Sequence, residues 1–148
     1  MGVERTSAEA PGGDGLAPRA GGLHLLVDLW TDDPAPLRRV EAWETLLPDA
    51  CREAGATVLA SRFHQFAPDG VTGVVLLAES HASVHTWPEA GLATLDVFTC
   101  GSLDAEVVVA RIREALAPVR DERATVVHRG APAPPPTCAA ARPDAPPP

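Results

Sequence analysis

Between positions 78 and 89 the chain reads Ala-Glu-Ser-His-Ala-Ser-Val-His-Thr-Trp-Pro-Glu, directly after an apolar run. The segment holds two carboxylates (Glu79, Glu89), two serines (Ser80, Ser83), two imidazoles (His81, His85), a threonine and an indole, a heavy polar load for a plain connection. A serine hydroxyl is a weak nucleophile until a neighbouring base and a fixed geometry activate it. Histidine is the usual base, because its charge changes near neutral pH. The residue types therefore suit nucleophilic and acid–base chemistry. They also suit a hydrogen-bonded turn with a packed Trp87, and on residue types alone both readings stand.

The elements that must position this segment are read from periodicity. Leu23 to Trp30 has the branched, apolar content of a strand, with His24 and Asp28 on one face if the alternation holds. Asp33-Pro34 has the form of an N-cap followed by a first-turn proline, and Leu37, Val40, Trp43, Leu47 and Ala50 recur at helical spacing. That predicts a helix to Ala54 with Gly55 as its C-terminal stop, kinked or shortened by Pro48. Thr57 to Phe66 and Val71 to Ala78 read as a hairpin turning at Pro68-Asp69-Gly70. Leu92 to Thr99 is a further strand, Ser102 is placed to cap a helix through Ala117, and Ala124 to His128 is a last short strand. The order is β-α-β-β-(β)-β-α-β, the bracketed strand being optional. It predicts an α+β fold, a two-layer α/β sandwich with a largely antiparallel sheet and two helices on one face. The other face needs covering, and a dimer is one way to cover it.

Residues 1–21 and 131–148 are rich in Gly, Ala and Pro without period, and are expected to be disordered tails around one domain, 22–130. The net charge of −8 opposes binding to nucleic acid or an anionic membrane, while tolerating a cationic small ligand. With no membrane-spanning apolar run and no signal-peptide pattern, the expected location is the cytoplasm. Cys51, Cys100 and Cys138 form neither an even disulfide set nor a zinc pattern, and no metal is expected.

The segment Glu79 to Glu89, ESHASVHTWPE, resembles the self-cleavage site of the small prokaryotic S-adenosylmethionine decarboxylases, whose signature is ESHxxxHTWPE. The resemblance extends through GLHLLVDLW, FHQFAPDGVTGVVLLAE, LDVFTCG and the closing HRG, so it covers nearly the whole folded part. It implies a proenzyme cut between Glu79 and Ser80 into chains 1–79 and 80–148, Ser80 becoming a catalytic pyruvoyl group. In the implied route the Ser80 hydroxyl attacks the Glu79 carbonyl, exchanging amide for ester. Loss of the Ser80 α-proton then expels the chain ending at Glu79 as its C-terminal carboxylate and leaves dehydroalanine, which hydrolyses to the pyruvoyl group and ammonia. His85 is the implied proton acceptor in processing, and the Thr72 hydroxyl stands where the family helps polarise the scissile carbonyl. The new ketone then forms an imine with the substrate amine and accepts the electrons released with CO2, and Cys100 is the implied proton donor. Thiols, mostly protonated at neutral pH, can serve as acids.

Resemblance also places the substrate's adenine between Phe66 and His85 and its ribose beside Glu89, and implies a homodimer of cleaved protomers. Read without it, Cys100 is a small buried hydrophobe, Thr72 a strand residue and Glu89 a solvated charge. Trp87 is expected to pack beneath the site, His81 to be a structural hydrogen-bonder, and His24, Asp28 and His64 to be ordinary strand residues. Two departures from the family pattern stand out: Leu92 replaces a usual Tyr, and Pro48 interrupts the first helix. Two other functions remain open: a pyruvoyl-dependent decarboxylase of ornithine or arginine, and a non-catalytic binding module.

Overall fold

The computed structural model describes residues 21–100 and 103–130. The elements are β1 (Gly22–Thr31), α1 (Val40–Glu53), β2 (Val58–Gln65), β3 (Val71–Leu77), β4 (Ser80–Trp87), β5 (Leu92–Thr99), α2 (Ala105–Ala115) and β6 (Val119–Arg129), with short 3-10 turns at Ala35–Leu37 and Pro88–Ala90. All six strands join one antiparallel sheet in the order β2-β3-β4-β5-β1-β6. This is the expected α+β architecture. The optional strand is real: most of the polar cluster is β4 itself, lying between β3 and β5. The tails expected at 1–21 and 131–148 fall, but for Gly21, outside the described residues, as does Ser102.

Strand alternation divides the sheet into two unlike faces. Leu25, Val27 and Leu29 of β1, Val71 and Val75 of β3, Ala82 and Val84 of β4, and Ala93, Leu95 and Val97 of β5 are buried under the helices. Trp43 and Leu47 of α1 and Val108 and Ile112 of α2 close this core, and the Trp43 indole donates to the Pro36 carbonyl at 3.0 Å. Among the described residues no helix covers the opposite face. There His24, Asp28, His81, Ser83, His85, Thr94 and Asp96 stand among Leu26, Val74, Leu76 and Val127, four side chains that are 39–50 % exposed.

Local boundaries depart from expectation for identifiable reasons. Asp33 does not cap α1; its side chain accepts from the Ala35 N–H at 3.0 Å, where the 3-10 turn begins. Arg39 is extended, so α1 starts at Val40, whose N–H donates to the Gln65 side chain of β2 at 2.8 Å. The start of this helix is thus set by a residue 25 positions away in sequence. Helix α1 runs through Pro48, which is buried in the core layer, and ends in a Schellman motif. Gly55, at φ +89°, donates to Arg52, and Ala56 donates to Cys51. Asp104, rather than Ser102, caps α2 by accepting from the Glu106 N–H at 3.0 Å. Strand β6 begins five residues before the expected Ala124, and its polar, exposed side chains suit a sheet edge but hide it from hydrophobic pattern reading.

Candidate active site

The β3–β4 connection is a two-residue turn, Ala78-Glu79, because Leu77 pairs directly with Ser80. Ser80 is the first residue of β4 and has φ +150°, a backbone conformation that side-chain-bearing residues seldom adopt and that costs on the order of 1–3 kcal/mol. The preceding carbonyl, that of Glu79, accepts two hydrogen bonds from Cys100 just beyond β5: one from its N–H and one from its thiol, both at 3.0 Å. Two donors aimed at one carbonyl oxygen form an oxyanion-hole arrangement. The Glu79 carboxylate turns away to accept from the Thr57 N–H at 3.1 and 3.2 Å, and that bond holds its pKa below the ordinary value.

A polar network lies beside Ser80. The Ser80 Oγ is 3.3 Å from His81 Nδ1, and His81 Nε2 is 3.1 Å from Asp96 Oδ2. The same Asp96 oxygen meets His24 Nε2 at 2.6 Å, and its other oxygen accepts from the Ser83 hydroxyl. Register explains the convergence: β5 lies between β4 and β1, so His81 and His24 both stand across from Phe98 and reach diagonally to Asp96. Burial pushes the Asp96 pKa up, but the bonds from Ser83, His24 and His81 outweigh it and hold the carboxyl below its usual range. His24, His81 and Asp96 also place three donor atoms within 4.8 Å of one another, a set that spacing along the chain conceals.

The other sequence-derived residues gather at the far end of β4. His85 pairs with Thr72 across the β3–β4 ladder, and their side chains meet, Nδ1 to Oγ1, at 2.5 Å. With Phe66, Trp87 and Glu89 they line a cleft of about 300 Å³. Trp87 is not packed beneath the site: it is 42 % exposed on the uncovered face and lines this cleft. A second hollow of about 390 Å³ lies mid-face, bordered by Asp28, Ser83, Asp96 and Arg123 among others.

Five residues of strand separate Ser80 from His85, about 16 Å at the usual rise. Within one chain the expected residues therefore form two groups. Glu79, Ser80 and Cys100 meet at one end, while Phe66, Thr72, His85 and Glu89 meet at the other. Thr72 bonds His85, and the scissile carbonyl has its donors from Cys100 instead. Asp96 and His24 were missed as site residues. The available signal was a lone charge, Asp96, inside the otherwise uncharged run Leu92 to Thr99. Cys51 is buried in α1, which raises its pKa to about 11 and leaves it a packing thiol; Cys138 lies outside the described residues.

Residues 23–130 match the family model described as S-adenosylmethionine decarboxylase. A Methanococcus aeolicus protein named S-adenosylmethionine decarboxylase proenzyme is 46 % identical over 100 residues, 67 % of this chain and 86 % of that protein. A protein of the same name from Thermodesulfovibrio yellowstonii is 45 % identical over 95 residues, 64 % of this chain and 70 % of its own. The crystal structure of the adenosylmethionine decarboxylase from Aquifex aeolicus superposes with a TM-score of 0.71 at 44 % identity, covering 76 % of this chain and 93 % of that one.

Proposed function

The chain belongs to the S-adenosylmethionine decarboxylase family, and we propose that it removes the carboxylate of S-adenosylmethionine, giving the decarboxylated aminopropyl donor, after cutting itself between Glu79 and Ser80. The observation that carries the proposal is the Glu79 carbonyl, held at 3.0 Å by both the N–H and the thiol of Cys100 beside a Ser80 in a strained backbone conformation. Both donors strengthen as the carbonyl oxygen gains negative charge under attack. Cutting the chain releases the strain, since Ser80 then has no preceding peptide to constrain its φ. The two halves stay together, because β4 keeps its ladders to β3 and β5.

A pyruvoyl group at position 80 fits these residues: it would start β4 in the exposed turn, with the Cys100 thiol within reach. Such a group supplies an electron sink for the bond that releases CO2. Cys100 is placed to deliver the proton that replaces the carboxylate. Phe66 and His85 offer two flat surfaces for adenine, Glu89 an acceptor for ribose hydroxyls, and the net negative charge suits a sulfonium.

The span of about 16 Å between the two groups supports a homodimer in which each site is shared. A two-fold axis on the uncovered sheet face would bring the partner's His85 and the partner's Glu89 to Ser80 and Cys100 of the first chain. The exposed Leu26, Val74, Leu76 and Val127 give that face something to bury.

The test is release of labelled CO2 from carboxyl-labelled S-adenosylmethionine, with ornithine and arginine in parallel. Release from S-adenosylmethionine alone is expected. Release from ornithine or arginine instead would move the assignment to a basic amino acid, and release from none would favour a binding module.

A further inference from the structure

Self-cleavage at Ser80 needs two protons removed at different moments: the hydroxyl proton when the ester forms and the α-proton when the ester is eliminated. His85 lies about 16 Å along the strand from Ser80 in the same chain. The imidazole that does touch the Ser80 hydroxyl is His81. We propose that His81, oriented by Asp96, is the base that takes the Ser80 hydroxyl proton, leaving the α-proton to the partner's His85. This rests on the reading that the chain cuts itself at Glu79-Ser80.

The geometry is that of a nucleophile, a base and an orienting carboxylate: Ser80 Oγ to His81 Nδ1 at 3.3 Å, then His81 Nε2 to Asp96 Oδ2 at 3.1 Å. The first distance is long, as such contacts often are before reaction begins. With Asp96 accepting at Nε2, that nitrogen carries the hydrogen and Nδ1 presents its lone pair to the hydroxyl. Neighbouring residues of a strand normally point to opposite faces, and the φ of +150° at Ser80 breaks that alternation where the hydroxyl has to meet the next ring.

Two further contacts hold the carboxylate, His24 from β1 and Ser83 from β4, and the register of β5 between those strands brings them together. The charged and titratable groups facing His81 are thus Asp96 and His24, with Arg129 of β6 behind His24 at 3.5 Å from its Nδ1. Half-buried Asp96 stays ionised and stabilises an imidazolium as it forms.

The step balances. Nδ1 takes the hydroxyl proton as Oγ bonds to the Glu79 carbonyl carbon, and Cys100 N–H and thiol hold the resulting oxyanion. The imidazolium then gives that proton to the Ser80 nitrogen as the carbon–nitrogen bond breaks, leaving an ester and a free amine.

The test follows chain cutting in freshly purified proenzyme by denaturing mass, with and without hydroxylamine, which splits the ester. His81→Gln is expected to slow cutting by about a hundredfold or more and to yield no hydroxylamine-split chain. His85→Ala is expected to accumulate ester that hydroxylamine splits. A His81→Gln chain that forms ester at the wild-type rate would overturn the assignment while leaving self-cleavage intact; a wild-type chain that never cuts would instead remove the underlying reading. Should His81→Gln fail to fold, Asp96→Asn decides: without the carboxylate that orients the ring, ester formation is expected to slow about tenfold or more, and ester formation at the wild-type rate overturns the proposal.

Discussion

At the Ser80 end of β4 the polar groups are already paired within one chain: the Glu79 carbonyl with Cys100, and Asp96 with Ser83, His24 and His81. At the Trp87 end, the far end of the same strand, Thr72 and His85 bond each other beside an open cleft, with Phe66 48 % and Trp87 42 % exposed. The difference teaches how one short strand divides its labour. Ester formation at Glu79-Ser80 uses contacts fixed within one chain before any ligand arrives, whereas the open end, His85 included, waits for a second protomer and the substrate to fill it.

The sharpest way to break this comparison is to remove the nucleophile. Ser80→Ala should remain one uncut chain and lose decarboxylation to background; denaturing mass and CO2 release check it. A pairing experiment comes next. Ser80→Ala and His85→Ala, each inactive alone, should on co-expression give dimers in which the His85→Ala chain is cut, with about half of the wild-type activity per mixed dimer. If both ends of β4 served one site within one chain, no cutting would return. Phe66→Ala tests the open end alone: KM should rise about tenfold from lost stacking, with normal self-cleavage. A slowed cut would mean that the two ends are not separable.

The smallest effect is on stability. The folded-state pKa of Asp96 is depressed, so its contribution is present above the ordinary value of 3.8 and is lost as the pH falls through the lower folded value. Asp96→Asn should therefore melt about 5 °C lower at neutral pH. The gap should close in acid, as followed by circular dichroism, and a gap independent of pH would deny the carboxylate its charged role.

The fold was legible where alternation was clean. Strand β5 was read residue for residue at Leu92–Thr99, and β1 to within one residue at either end. It was hidden where tertiary contacts decide, as at Val40, whose helix start depends on Gln65 of another strand, and along β6, whose polar side chains carry no burial pattern. The site divides in the same way. Ser80, His85 and Cys100 were named through resemblance, but the split between the ends of β4 follows from one local fact, that the segment is extended rather than looped. The convergence of His24, His81 and Asp96 needs the β1–β5–β4 register, which links positions 72 residues apart.

The most direct test is the intact mass of the purified protein under denaturing conditions. Two chains are expected, residues 1–79 and residues 80–148, the second lighter than its serine-initiated sequence and reactive toward carbonyl reagents. A single uncut chain after long incubation at neutral pH would contradict the account.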